Sequence, residues 1–95
     1  MIKSFADDVT YALFMGKRPR RLPQAPGFVR SVQKKLMQID AAALLSDLKS
    51  PPGNKLHALE EDRLGQHAIK VNDQYRICFT WHDGNAYDVE VTDYH

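Results

Sequence analysis

Residues 75–95, YRICFTWHDGNAYDVEVTDYH, constrain this chain more than any other stretch. Tyr75, Ile77, Phe79 and Trp81 share one parity, and Tyr87, Val89 and Val91 share another. A period of two marks half-buried strands. Asp83-Gly84-Asn85 lie between the runs and tolerate positive φ. The register follows from which residues must meet. A two-residue loop at Asp83-Gly84 would set Phe79 against Asp88 and Ile77 against Glu90. A three-residue loop, with Asn85 left-handed, sets Trp81 against Tyr87, Phe79 against Val89 and Ile77 against Val91. The apolar sets then meet on one face, which favours the longer loop. Arg76, Cys78, Thr80, Asp88, Glu90, Thr92 and Tyr94 fall on the other face. Arg76 then lies across from Thr92 and diagonal to Tyr94, near the terminal Asp93-Tyr94-His95. On pattern alone this is as readily a solvated face as a site.

The stretch before the hairpin supplies its cover. Residues 2–5 read as a short edge strand. Asp7-Asp8 suit a helix start, with Val9, Leu13 and Phe14 at helical spacing and Gly16 as the stop. Residues 28–39 form an amphipathic helix with a Val29, Val32, Leu36, Ile39 stripe, which is core far more often than a cofactor site. Asp40 is expected to cap a second short helix over residues 41–48, which Ser50-Pro51-Pro52-Gly53 ends. Weak strand character over residues 55–59, an acidic turn at Glu60-Glu61-Asp62 and alternation over residues 67–71 complete the pattern. Strand, helices, then antiparallel strands argue for a single α+β domain over residues 1–95, with helices on one sheet face.

Ninety-five residues can bury roughly 60–65% of their unfolded surface, enough for one core. No apolar run approaches the ~20 residues of a membrane helix. The opening Met1-Ile2-Lys3-Ser4-Phe5 is unlike a secretory leader, and Cys78 is the lone cysteine, so a cytoplasmic protein is expected. The net charge of +1 hides an asymmetry: residues 1–36 hold eight Lys/Arg against two Asp, and residues 37–95 hold five against ten acidic residues. Lys17, Arg18, Arg20 and Arg21 occupy a proline-interrupted loop, and Arg30 and Lys34 lie one helical turn apart. This basic surface suits phosphate or an acidic partner, and equally a plain solvated loop.

His57, His67, His82 and His95 have no zinc-type spacing, so no metal is expected. No glycine-rich phosphate loop or nucleophile elbow is present. His57, Arg76, Tyr94 and His95 fit another chemistry, should they converge. RNA cleavage without a metal needs a base for the 2′-OH, a cation for the phosphorane and an acid for the leaving 5′-oxygen. Histidine titrates near neutrality, arginine forks onto phosphate, and tyrosine stacks on a base.

Several stretches carry a family resemblance: MIKSF, LFMGK with its Arg-rich continuation, DAAALLSDLKSPPGNKL, GQHAIKVNDQYRICFTW and the final VTDYH. In this order the chain resembles, over essentially its whole length, HigB-type toxins of the RelE/ParE superfamily. The resemblance implies a RelE/ParE-like fold, an N-terminal strand and helices on one face of a curved antiparallel sheet. It implies the toxin of a bacterial type II toxin–antitoxin module, a ribosome-dependent endoribonuclease that cuts mRNA in the ribosomal A site without a cofactor. It implies partners too: the ribosome, mRNA and a HigA-like helix-turn-helix antitoxin, through which alone the toxin would reach DNA. His57, Arg76, Asp93, Tyr94 and His95 match the family's active-site positions. One departure stands out. Plasmid-type HigB toxins carry a lysine three residues after that histidine, where this chain has Glu60. A carboxylate there would repel the scissile phosphate, and Lys55 or Lys70 are possible substitutes. Two other classes share the fold expectation: a ParE-like gyrase poison, and a ribosome-binding module with weak cleavage.

Overall fold

The computed structural model describes residues 1–20 and 27–93, so Arg21, Tyr94 and His95 lie outside the described residues. Helix α1 (Asp8–Phe14) starts where the carboxylate of Asp7 accepts the Thr10 N–H at 2.7 Å. It stops at Met15, with Gly16 beyond it at φ 87. Helix α2 (Phe28–Ala41) buries Phe28, Val29, Val32, Leu36 and Ile39. The second helix expected over residues 41–48 does not form. Asp40 instead accepts the Ile2 N–H at 2.9 Å, and Ala42 is already extended. A 3₁₀ turn, Leu45–Lys49, takes its place. The Asp47 carboxylate caps it, accepting the Ala43 and Leu44 N–H groups at 3.0 and 2.9 Å. A further 3₁₀ turn, Pro52–Asn54, leads into the sheet.

Four antiparallel strands follow in spatial order β1-β2-β3-β4: β1 (His57–Ala58), β2 (Gln66–Lys70), β3 (Tyr75–His82) and β4 (Asn85–Asp93). The last hairpin corrects the expected register. His82 pairs with Asn85 across a two-residue turn, with Asp83 at φ 49 and Gly84 at φ 80. Both values suit a type I′ turn, whose twist matches the strands. Near the turn Trp81 therefore faces Ala86 and Thr80 faces Tyr87, not Trp81 facing Tyr87. The apolar mismatch is removed by a bulge: the register shifts between Cys78 and Thr80, and Asp88 takes φ 53. Beyond it Ile77 faces Val91 and Arg76 faces Thr92, as expected. The tight turn and the apolar match both survive because one extra residue is inserted between them.

The same bulge explains the N-terminal segment. Ile2 and Phe5 bridge Ala86 and Val89 in parallel, three residues apart on each side. A parallel ladder advances by two, so residues 2–5 make two isolated bridges along β4, not the regular strand expected. The two helices cover one sheet face, where Leu13, Val32, Leu36 and Ile39 meet Ile69, Ile77, Phe79 and Val89. Each of these fully buried side chains contributes about 1.5–3 kcal/mol over exposure. Among the described residues the other face carries a small buried cluster of Leu59, Ala68 and Cys78. Among the described residues no helix is long and apolar enough to cross a membrane.

Candidate functional site

Arg76 stands on the face the helices leave bare. It pairs with Lys70 on one side and Thr92 on the other. Leu59 closes over Ala68 and Cys78, and so draws the chain after β1 across this face. The 3₁₀ turn Glu61–Arg63 is then pinned by Arg63, which donates to Gln66 and to the carboxylate of Glu90 on β4, both at 2.9 Å. Burial works against the Arg63 cation, but the hydrogen bond and charge of Glu90 outweigh it, and its pKa lies above the ordinary guanidinium value. Glu61 adopts a left-handed φ of 55 to make the turn. The result is a cavity of about 260 Å³ lined by Leu59, Glu60, Glu61, Asp62, Arg63 and Arg76. Three carboxylates surround two guanidinium groups there.

The other expected site residues are distributed. His57 sits on edge strand β1, exposed, with Nδ1 at 2.8 Å from the Lys55 carbonyl. That carbonyl only accepts, so in the neutral ring Nδ1 holds the proton and Nε2 keeps the lone pair. His57 lines a different cavity, of about 420 Å³, with Leu45, Ser46, Lys49, Leu56, Ala58 and His67. Asp93 pairs with Tyr75, one position off the Arg76–Thr92 pair, and so falls on the opposite side of the strand. Its carboxylate accepts from Gln74 at 2.8 Å. Arg76 and His57 thus line different cavities, and Asp93 lines neither of the two. Lys70, a possible stand-in for the missing family lysine, ion-pairs with Asp73 at 2.9 Å. Lys55 lines neither cavity.

The basic residues gather on the helical side. Lys17, Arg18 and Arg20 are exposed or nearly so, and Arg30 and Lys34 project from α2. Gln33 ties the two groups, donating to the Leu13 and Lys17 carbonyls at 3.1 and 3.5 Å. Arg30 and Lys34 flank a shallow hollow along α2 with Gln33, Met37, Gln38 and Ala41. The whole thickness of helix and sheet separates this surface from Arg76. Arg63 was not legible in the sequence because its partner Glu90 is 27 residues away. Its nearer bond, to Gln66 three residues on, was the only local hint.

Comparison with known proteins gives this geometry its relatives. Residues 3–95 match the HigB-like toxin family, described as the RelE-like toxin of the type II toxin–antitoxin system HigB. The chain is 34% identical over 95 residues to Endoribonuclease HigB of Proteus vulgaris, spanning all of both. It is 43% identical over 70 residues to Toxin HigB-1 of Vibrio cholerae, covering 74% of this chain and 72% of that one. In fold it is similar to a point mutant of YafQ from E. coli, with TM-score 0.64 at 13% identity, covering 99% of this chain and 92% of that one. It is also similar to a chain of the YoeB–YefM complex from Staphylococcus aureus, with TM-score 0.60 at 15% identity, covering 100% and 98%.

Proposed function

The chain belongs to the HigB-like family of RelE-like toxins of type II toxin–antitoxin systems, and from that premise we propose that it is an endoribonuclease that cuts mRNA in the ribosomal A site. The end-to-end match to an endoribonuclease of the family carries the reading. In the reaction the 2′-OH attacks the adjacent phosphodiester and the 5′-oxygen leaves. Arg76 clamps the scissile phosphate and stabilises the charge that builds on it. His57, with Nε2 free of the proton, is suited to take the 2′-OH proton, once the RNA spans the two cavities. Tyr94 holds the nucleotide and His95 delivers the proton to the leaving oxygen, while Asp93, on the other side of β4 from Arg76, positions the segment that carries them. Primer extension on an mRNA, with and without ribosomes, tests it: cuts that appear only during translation support the reading. No cuts in either arm would leave a toxin that binds without cleaving.

The carboxylates beside Arg76 temper the activity on this reading. RNA meets a cavity with one more anion than cations, counting Glu60, Glu61 and Asp62 against Arg63 and Arg76. Glu60→Lys reverses one of these charges at the position where plasmid-type HigB toxins carry lysine. It should raise kcat/KM on translated mRNA by about three- to tenfold, with the gain shrinking at high salt. An unchanged or lower value would mean that Glu60 does not face the RNA.

The basic helical surface has two proposed uses. Lys17, Arg18, Arg20, Arg21, Arg30 and Lys34 bind ribosomal RNA, and a HigA-like helix-turn-helix antitoxin docks on the same side, leaving Arg76 uncovered. The toxin then works in the cytoplasm and reaches DNA only through that antitoxin. Replacing Arg20 and Arg21 with Glu should weaken co-sedimentation with ribosomes. It should also flatten the salt dependence by about one unit of slope for each phosphate that is no longer neutralised. Because both uses fall on one surface, saturating antitoxin should release wild-type toxin from ribosomes. A stable ternary complex of ribosome, toxin and antitoxin would rule out shared use of the surface.

A further inference from the structure

We propose that the cavity between β1, β2 and the turn Leu45–Lys49 receives one nucleotide of the RNA, next to the one at Arg76. The inference rests on the endoribonuclease reading and extends it to residues with no assigned role, Lys49 and His67. The two cavities differ sharply in charge. The Arg76 cavity holds three carboxylates. The second is lined by no carboxylate among the described residues, and combines Lys49, His57 and His67 with Leu45, Leu56 and Ala58. Apolar walls, aromatic rings and a cation are what single-stranded RNA requires, a surface for the base and a positive group, here Lys49, for its phosphate. A volume of about 420 Å³ accommodates a nucleoside.

The placement of His67 supports this use. Its ring stacks on Phe79, with centroids 6.4 Å apart and planes at 26°. Its Nδ1 is buried with no hydrogen-bond partner among the described residues. Buried polar groups ordinarily have one, so an apolar side chain would pack there at lower cost. His67 is therefore a poor structural residue and a good wall for a base. The two cavities lie on opposite faces of the sheet and meet at its edge: Ala58, paired with His67, lines this one, and Leu59, the next residue, lines the other beside Ala68 and Cys78. An RNA strand that turns round edge strand β1 meets both, with the exposed His57 at the turn. The base lies against Leu45, Leu56 and the His67 ring, and its phosphate points to Lys49.

Two measurements test this. The first is an NMR titration of the whole protein with each of the four nucleoside 5′-monophosphates. Shifts at the His57 and His67 imidazoles and at Lys49 are expected, and they should vanish in His67→Leu. The second is cleavage of translated mRNA by His67→Leu and by the surface variant Lys49→Ala. Each should raise KM about tenfold with kcat retained, through loss of a stacking ring in the first and of a charge-assisted phosphate contact in the second. His67→Leu should in addition flatten the base preference beside the cut. Nucleotide shifts confined to the Arg76 side, or none, would overturn the proposal. So would wild-type KM and base preference in both variants. The endoribonuclease reading is judged separately, by whether the wild-type protein cuts the same mRNA at all.

Discussion

Replacing Arg76 with alanine should lower cleavage of translated mRNA by about 10²–10³-fold and relieve growth arrest. The fold holds Arg76 firmly in place: its strand is flanked on both sides, by β2 at Lys70 and by β4 at Thr92. It is half-buried, so its guanidinium acts where water screens less than at the open surface. The second guanidinium of that cavity, on Arg63, is drawn instead toward Glu90 on β4. Arg76→Lys keeps the charge but loses the planar fork, and should recover only part of the rate. His95→Ala, at the family's terminal histidine, should also relieve arrest, through loss of a proton donor. Both variants should still bind antitoxin, which serves as the check that they are folded. Near wild-type cleavage by both would sink the assignment and favour a toxin that acts by binding alone.

The parts of this molecule that were legible in its sequence are those set by periodicity and local chemistry. The α2 stripe, the acidic helix start at Asp7-Asp8 and the Gly16 stop each depend on residues within a turn or two. The far half of the last hairpin was also readable, because Ile77 and Val91 must share a face. The near half was not. Two local preferences conflict there, a tight Asp83-Gly84 turn and an apolar match at Phe79, and a bulge at Asp88 satisfies both. Nothing in an alternating pattern announces a bulge. The helix expected over residues 41–48 failed for a similar reason. Asp40 and Asp47 each have a competing use, on the Ile2 N–H and on the turn at Ala43 and Leu44. In the site, the residue types were visible but their grouping was not. That Arg76 shares a cavity with Glu60, Glu61 and Asp62 while His57 shares one with His67 depends on how Leu59 and Arg63 fold the acidic turn over the sheet.

The second large effect expected is on stability, at Asn54. The SPPGN stretch marked the family in the sequence, and its last polar residue is fully buried. Its side-chain amide donates to the Leu48 carbonyl at 3.1 Å and to the Ser50 carbonyl at 3.3 Å, while its oxygen accepts from Lys35 on α2. One side chain thus ties the Leu45–Lys49 turn, the proline loop and the helix together. Burial, with Lys34 beside it, lowers the Lys35 pKa, so this cation depends on its partner more than an exposed lysine would. Asn54→Ala removes the donor and the acceptor at once and leaves buried carbonyls without their partner. Unsatisfied groups of this kind cost about 1–3 kcal/mol each, so a total loss of roughly 2–4 kcal/mol is expected. For a domain of this size that corresponds to a fall in melting temperature on the order of 10–20 °C. Asn54→Asp separates the two halves of the bond set. It keeps an acceptor for Lys35 but turns a carboxylate toward two carbonyls, and should be at least as damaging as alanine. A loss below about 1 kcal/mol for Asn54→Ala in urea unfolding would mean that water replaces the amide, and that the motif is kept for its turn and not for this buried bond.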